Sequence, residues 1–326
     1  MWDALLTMAS FPRIVAVARR WRPSERVVLA ARRVGAVAAV SLVSYIFWKA
    51  ARGIDVSSLH TLPLLACGAF SLVAWLGLAA GWTFLSPLPT RRSSLATWCR
   101  TQVLRYLPGI GWAQVARATS VRSSAAGKAS SVVMEAVATL AVALAVGGGL
   151  YATQQDHLWA LLMLIPLALG GVWAVIGRKL GLPPRRVIGA MVAYLVSWTA
   201  YGLATVFAQQ AVGGSVSPLL VAGAGCLAWS FGFLTVITPG GVGARELAYV
   251  ALLAGALPQS QLAGAALVSR VASTLAELSV LVAVLAGRRW LSAQRAKAAT
   301  VVAPSLEQLD PALASEAPLA ASAKDA

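Results

Sequence analysis

The sequence predicts an all-α, polytopic helical membrane protein with about eight transmembrane helices, in which Pro-Gly pairs produce broken or re-entrant segments. Of its 326 residues, 59% are hydrophobic and only 12% are charged. That charged fraction is about half of what a soluble domain carries. Several apolar runs reach the roughly 20 residues that a helix needs to cross a bilayer. Because backbone groups in hydrocarbon must be satisfied within the segment, these runs are expected to be helical.

The apolar runs define the expected spans in chain order: 34–50, 60–86, 131–151, 158–177, 187–209, 217–238, 244–257 and 262–287. The seventh span, if helical, would be only about 21 Å long against a hydrocarbon core of about 30 Å. A re-entrant hairpin is the alternative for it. That alternative would move the last basic cluster to the other side, so the charge distribution favours a short crossing. The stretch 98–119 contains three arginines and is expected to be interfacial or re-entrant.

The formal net charge of +16 reflects basic residues that flank the spans. With eight crossings, the basic residues before the first span, between 91 and 128, around 178–186 and after the last span all fall on one side. Only Lys49 and Arg52 fall on the other. The positive-inside rule then predicts a multi-pass protein of the cell inner membrane with both termini cytoplasmic. The same charge in a soluble protein would suggest nucleic acid, but no aromatic-basic motif supports such a partner.

Three regions are expected along the chain. Residues 1–30 predict a cytoplasmic amphipathic segment, residues 31–290 the transmembrane domain, and residues 291–326 a disordered cytoplasmic tail. The three cysteines and two histidines have no metal-ligand spacing, and no nucleotide-binding motif is present. Neither a metal nor a cofactor is therefore predicted.

Two segments are broken in a similar way: RYLPGIGWAQVAR at 105–117 and ITPGGVGARELAY at 237–249. Each has a Pro-Gly pair, a further glycine and a helical stretch with an arginine. Paired interruptions of this kind indicate a transporter binding site. A helix starting after Gly243 would direct its free N–H groups and positive dipole end into a cavity, with Arg245 in its first turn, which suits a phosphate. The alternative is that both Pro-Gly pairs only form tight turns at a membrane surface.

Glutamates and arginines within the spans are candidates for function because charges are costly in a membrane. Glu135, Glu246 and Glu277 lie in or at the edge of expected spans, and Arg270 precedes Glu277 by about two helical turns. The alternative is structural ion pairing, with Glu135 or Glu277 neutralising Arg245 or Arg270.

The chain resembles the lysylphosphatidylglycerol synthase transmembrane-region family, also called flippase-like membrane proteins. The family's Pro-Gly-Gly-x-Gly-x-Arg-Glu turn is matched by residues 239–246, its arginine in the last helix by Arg270, and its earlier arginine by Arg117. Where the family often has Glu-Arg, Glu135 is followed by alanine. The resemblance implies a helical bundle that moves a lipid headgroup across the bilayer. It covers the membrane module only, because the chain has no room for the aminoacyl-transferase domain.

The leading hypothesis is a translocase or carrier for an anionic or phosphate-bearing lipid, such as a phospholipid or a polyprenyl-phosphate lipid, rather than an enzyme. A separate synthase or transferase is a possible partner. The alternatives are a membrane-embedded glycosyl or acyl transferase, with Glu135 or Glu246 as base, and an accessory scaffold using the basic loop 87–130. The predicted substrate-binding residues are Arg105, Pro108, Gly109, Arg117, Glu135, Gly240, Gly241, Gly243, Arg245, Glu246, Arg270 and Glu277.

Overall fold

The computed structural model describes Ser41 and residues 59–106, 112–120, 125–154, 177–178, 181–235 and 239–307. The predicted segment 1–30, spans 34–50 and 158–177 apart from Ser41 and Gly177, and residues 308–326 lie outside the described residues. The long elements of the described part are helices: α1 Thr61–Leu85, α2 Arg91–Gln102, α3 Trp112–Ser120, α4 Ala125–Ala152, α5 Pro184–Ala211, α6 Pro218–Leu234, α7 Ala244–Leu252 and α8 Gln259–Glu307. Short 3-10 turns occupy Val103–Tyr106 and Pro239–Gly241. The predicted all-α fold class is confirmed.

Four described segments are long and apolar enough to cross a membrane: Thr61–Leu85, Ser131–Ala152, Pro184–Ala211 and Gln259–Gly287. They coincide with the predicted spans 60–86, 131–151, 187–209 and 262–287. The apolar α6 has 17 residues and is shorter. The bundle core thus forms where the sequence predicts it.

The helices assemble into a bundle with two chemically different ends. At one end, Trp82 Nε1 donates to the carbonyl of Ser94 at 3.0 Å, which joins the end of α1 to α2. At the other end, the His60 N–H donates to the carbonyl of Ala211 at 3.0 Å, and the Tyr151 hydroxyl donates to the carbonyl of Leu252 at 2.8 Å. We call the first the basic end, because it carries the exposed residues Arg91, Arg92, Arg178, Arg185 and Arg186. The described residues of the other end, the opposite end, include no lysine or arginine.

Small residues let the helices pack closely. A Cβ added at Gly81 of α1 would lie 2.2 Å from the Tyr194 ring of α5, and one at Gly223 of α6 would lie 2.5 Å from the Tyr151 nitrogen of α4. The Ser197 hydroxyl of α5 also donates to the carbonyl of Ala74 in α1 at 2.7 Å. Such close packing and interhelical hydrogen bonds hold transmembrane helices together, because the hydrophobic effect does not drive helices to associate within lipid.

The structure replaces the two crossings expected at 217–238 and 244–257 by one hairpin. Helix α7 has nine residues, about 14 Å of rise, which is half of the hydrocarbon core. Its end packs beside the start of α6, where Val221, Tyr249, Leu253 and Leu262 share one apolar cluster. Helices α6 and α7 therefore form a hairpin with both ends at the opposite end of the bundle. Helix α8 still starts at that end and runs to the basic end, so the basic clusters stay together.

Helix α2, the turn Val103–Tyr106 and α3 form another inserted hairpin, which we call the first inserted hairpin because it precedes α6 and α7 in the chain. Thr90 caps α2 by accepting the Ser93 N–H at 3.1 Å, and α3 packs back on α2, with Arg117 Nε donating to Thr101 at 3.1 Å. This geometry agrees with the interfacial or re-entrant segment expected at 98–119.

Helix α8 is longer than the sequence predicts. It continues to Glu307, so residues 291–307, which were expected to begin a disordered tail, have helical backbone. The alanine-rich composition of this stretch explains the difference, because alanine has the highest helix propensity.

Candidate functional site

The two broken segments meet inside the bundle. We call Val103–Tyr106 the first turn and Pro239–Gly241 the second turn. The Tyr106 ring of the first turn packs on the second turn, and a Cβ added at Gly240 would lie 3.2 Å from that ring. Gly240, Gly241 and Gly243 have φ angles of 59°, 71° and 86°, which other residues rarely adopt. The Pro-Gly-Gly-x-Gly sequence thus reverses the chain sharply and lets another backbone approach.

Arg105 and Glu277 connect the first turn to helix α8. Arg105 NH2 lies 2.8 Å from Glu277 Oε2, and the Tyr106 hydroxyl donates to the same oxygen at 2.7 Å. The guanidinium also lies 4.5 Å from the ring centroid of Trp75. Because Glu277 is buried, this pair fixes the turn to the bundle, whereas the sequence allowed Glu277 to neutralise Arg245 or Arg270.

Arg117 and Glu135 form the second buried ion pair, between α3 and α4. Trp98 Nε1 donates to Glu135 Oε1 at 3.2 Å, and Arg117 NH2 donates to Gln102 Oε1 at 2.6 Å. Arg117 is 2% exposed, so its charge is compensated by Glu135 rather than by water. Glu135 thus has a structural partner that the sequence did not predict.

Glu246 and Arg270 stabilise the second turn. Glu246 Oε2 accepts the N–H of Gly243 at 2.7 Å, and its Oε1 lies 3.8 Å from Arg270 Nε. Arg270 NH2 donates to the carbonyl of Gly240 at 3.0 Å. The start of α7 is therefore capped by its own carboxylate, which corrects the expectation that its N–H groups are all free for a ligand.

Arg245 differs from the other three arginines of this region. It is 8% exposed, and it donates to the Tyr201 hydroxyl while its guanidinium lies 4.9 Å from the centroid of that ring. No ion pair joins it to a carboxylate within the described part of the chain. The described site contains four arginines and three glutamates, so its excess positive charge lies at Arg245.

A cavity of about 560 Å³ opens beside these groups. Arg105, Arg117, Arg245 and Glu135 line it together with the turn residues Gly240 and Gly241. Its apolar wall comes from α2, α3, α4 and α6 and includes Trp98, Trp112, Val133, Trp229, Phe233 and Leu234. We call it the large cavity. Its volume lies in the range that small-molecule and cofactor sites occupy.

A second cavity, of about 20 Å³, also borders Arg245. Arg245, Glu246 and Arg270 line it with the hydroxyl residues Tyr201, Thr205, Tyr249 and Ser269. We call it the small cavity. Arg245 and no other described residue lines both cavities.

The structure brings ten of the twelve predicted site residues into one region, whereas Pro108 and Gly109 lie outside the described residues. Arg105, Arg117, Glu135, Gly240, Gly241 and Arg245 line the large cavity, while Arg270 and Glu246 line the small one. Glu277 pairs with Arg105, and Gly243 is the N-cap of α7. The polar partners that were missed include Trp98, Gln102, Tyr106 and Tyr201. Tyr106 is adjacent to Arg105 in the sequence, which is a weak signal, whereas Tyr201 lies 44 positions from Arg245 and has none.

Residues 177–280 match the family model described as Lysylphosphatidylglycerol synthase TM region. The resemblance predicted from the Pro-Gly-Gly-x-Gly-x-Arg-Glu turn is thereby confirmed, for the membrane module only. A search of curated proteins finds no match to this chain.

The matched residues extend over α5, α6 and α7 and most of the apolar part of α8. They include the second turn, Arg245, Arg270 and Glu277, whereas Arg105, Arg117 and Glu135 precede them. Together with the four long apolar helices, the match indicates a membrane protein with a function related to membrane lipids.

Proposed function

We propose that this protein is a translocase or carrier for an anionic or phosphate-bearing lipid of the inner membrane, whose headgroup binds Arg245 in the large cavity. The observation that carries the proposal is the combination of an apolar cavity with a buried arginine that has no carboxylate partner among the described residues. A buried charge without compensation is costly. An anionic headgroup would supply the missing charge.

The other two arginines of the large cavity have different roles in this proposal. Arg105 and Arg117 are held by Glu277 and Glu135, so each remains a hydrogen-bond donor with little net charge at its site. They would orient the headgroup oxygens, since guanidinium groups bind phosphate with defined geometry. Arg270, which lines the small cavity, would act by positioning the Gly240 turn.

The aromatic and aliphatic wall suits the glycerol and upper acyl region of a lipid. Trp229 stacks with Phe233 at a centroid distance of 5.1 Å. Val133, Phe233 and Leu234 line the cavity and are also exposed on the outside of the bundle. Apolar side chains at this border would contact acyl chains while the headgroup remains at Arg245. We further propose that the basic end faces the cytoplasm, because the described arginines at helix ends cluster there.

The test compares wild-type protein with Arg245→Gln and, as the matched control, Arg92→Gln, which removes an exposed arginine at the basic end. Each protein is extracted gently, and its bound lipids are identified by native mass spectrometry. Each is then reconstituted, and the movement of a labelled anionic phospholipid between leaflets is measured.

We expect Arg245→Gln to retain anionic lipid roughly ten- to a hundredfold more weakly, the effect of losing a charge-assisted hydrogen bond. Lipid movement should fall with it, and Arg92→Gln should match wild type. Equal retention and equal movement in Arg245→Gln and wild type would refute the proposed headgroup site.

A further inference from the structure

Apart from Arg245, the polar side chains that line the small cavity do not line the proposed lipid site. Arg245 and Arg270 both line it, whereas Glu246 is the one carboxylate in its described wall. Glu246 already accepts the Gly243 N–H through Oε2 and lies 3.8 Å from Arg270 through Oε1. The cavity wall therefore keeps one positive charge in excess.

Arg270 provides an independent observation. Its side chain is 8% exposed, and its NH1 is buried without a hydrogen-bond partner, although its NH2 donates to Gly240. An unsatisfied donor on a buried charged group costs more than one on a neutral group. Four side chains with hydroxyl groups, on three helices, surround the same space: Tyr201, Thr205, Tyr249 and Ser269. Thr205 and Tyr249 already donate to the Gly202 carbonyl and to Gln209 Oε1, so the Tyr201 and Ser269 hydroxyls and Arg270 are the groups that can donate to one central acceptor.

The size of the small cavity limits what it can hold. A volume of about 20 Å³ accommodates one water-sized particle and excludes a lipid headgroup. A water molecule could accept a hydrogen bond from Arg270 NH1 but could not neutralise the excess charge. A small anion would do both.

We propose that the small cavity binds one monovalent inorganic anion of the size of chloride, between Arg245 and Arg270. The anion would balance the one excess charge while no lipid headgroup is bound at Arg245, and it would keep Arg245 and the Gly240 turn in place. The site is separate from the proposed lipid site, because only Arg245 is shared by the two walls.

The test is equilibrium binding of radioactive chloride to the purified protein in detergent, with gluconate, which is too large for the cavity, as the replacement anion. We expect saturable binding of one chloride per chain. Arg270→Gln should abolish it, and Arg92→Gln should leave it unchanged. Absence of saturable binding to wild type would mean that a water molecule only occupies the space, and equal binding by Arg270→Gln would also overturn the proposal.

A second variant tests the site without removing a charge. Ala266 lines the small cavity and not the large one, so Ala266→Leu should fill the space while all four arginines remain. We expect at least a tenfold loss of chloride affinity with normal helical circular dichroism. Unchanged affinity in Ala266→Leu would contradict the proposal even if Arg270→Gln failed to fold.

The two proposals can fail separately. Chloride binding without retained anionic lipid would refute the proposed function alone. Retained anionic lipid that depends on Arg245, without chloride binding once that lipid has been removed, would refute the anion site alone.

Discussion

The ion pair between Arg105 and Glu277 should couple the first inserted hairpin to α8, and a double-mutant cycle can measure that coupling. The variants are Arg105→Gln, Glu277→Gln and the double variant. Each single change leaves one buried charge without its partner, which costs about 3–5 kcal/mol. The double change removes both charges, so it should destabilise by clearly less than the sum of the singles.

The structure also allows a magnitude for the coupling. The contact of Arg105 with Trp75 and the hydrogen bond of Tyr106 to Glu277 are altered equally in the single and double variants, so their contributions largely cancel in the cycle. What remains is the 2.8 Å pair itself together with the bridge through the Tyr106 hydroxyl, which accepts from Arg105 NH2 at 2.9 Å. We expect an interaction energy of about 2–3 kcal/mol, the upper part of the range for contacting residues.

The assay is equilibrium unfolding in mixed micelles by titration with a denaturing detergent, followed by circular dichroism. The control cycle combines Glu277→Gln with Arg92→Gln, an exposed arginine of the same helix–turn segment, and should be additive within about 0.5 kcal/mol. If the Arg105 cycle is equally additive, the reasoning that the ion pair fixes the turn to α8 is refuted.

Three further changes test the backbone and the packing. Gly241→Ala should destabilise by more than about 2 kcal/mol, because φ is 71° and the new Cβ would lie 2.8 Å from a backbone oxygen. Its control is Gly181→Ala, where φ is 75° but the space is open, so only about 1 kcal/mol of backbone strain is expected. Equal losses of unfolding free energy in the two variants would contradict the close backbone approach at Gly241. Gly81→Ala should destabilise by about 1–3 kcal/mol because its Cβ would overlap the Tyr194 ring, and a neutral result in the same titration would show that α1 and α5 can move apart. Gly68→Ala, in the same helix with nothing near its Cβ, should stabilise by about 0.5–1 kcal/mol, and a loss there would indicate a contact that the structure lacks.

The site was predictable to the extent that a residue's chemistry is unusual for its surroundings. An arginine or glutamate within an apolar run is costly in a membrane, so Glu135, Arg245, Arg270 and Glu277 could be identified without coordinates. Their partners could not be identified. Glu277 pairs with Arg105, which lies 172 positions earlier in the chain, because the tip of the first hairpin reaches α8. No local sequence pattern indicates that these two residues are in contact.

By itself, the sequence determined the all-α membrane class, four of the described spans and the positions of the two breaks, because hydrophobic length and Pro-Gly chemistry are local properties. It did not determine that residues 217–257 form a hairpin instead of two crossings. Both arrangements return the chain to the same end, so the positive-inside rule cannot distinguish them. The tertiary structure decided this through the packing of Tyr249 and Leu253 beside Val221. The same packing left Arg245 buried without a carboxylate among the described residues, since the three glutamates of the site are directed to other arginines.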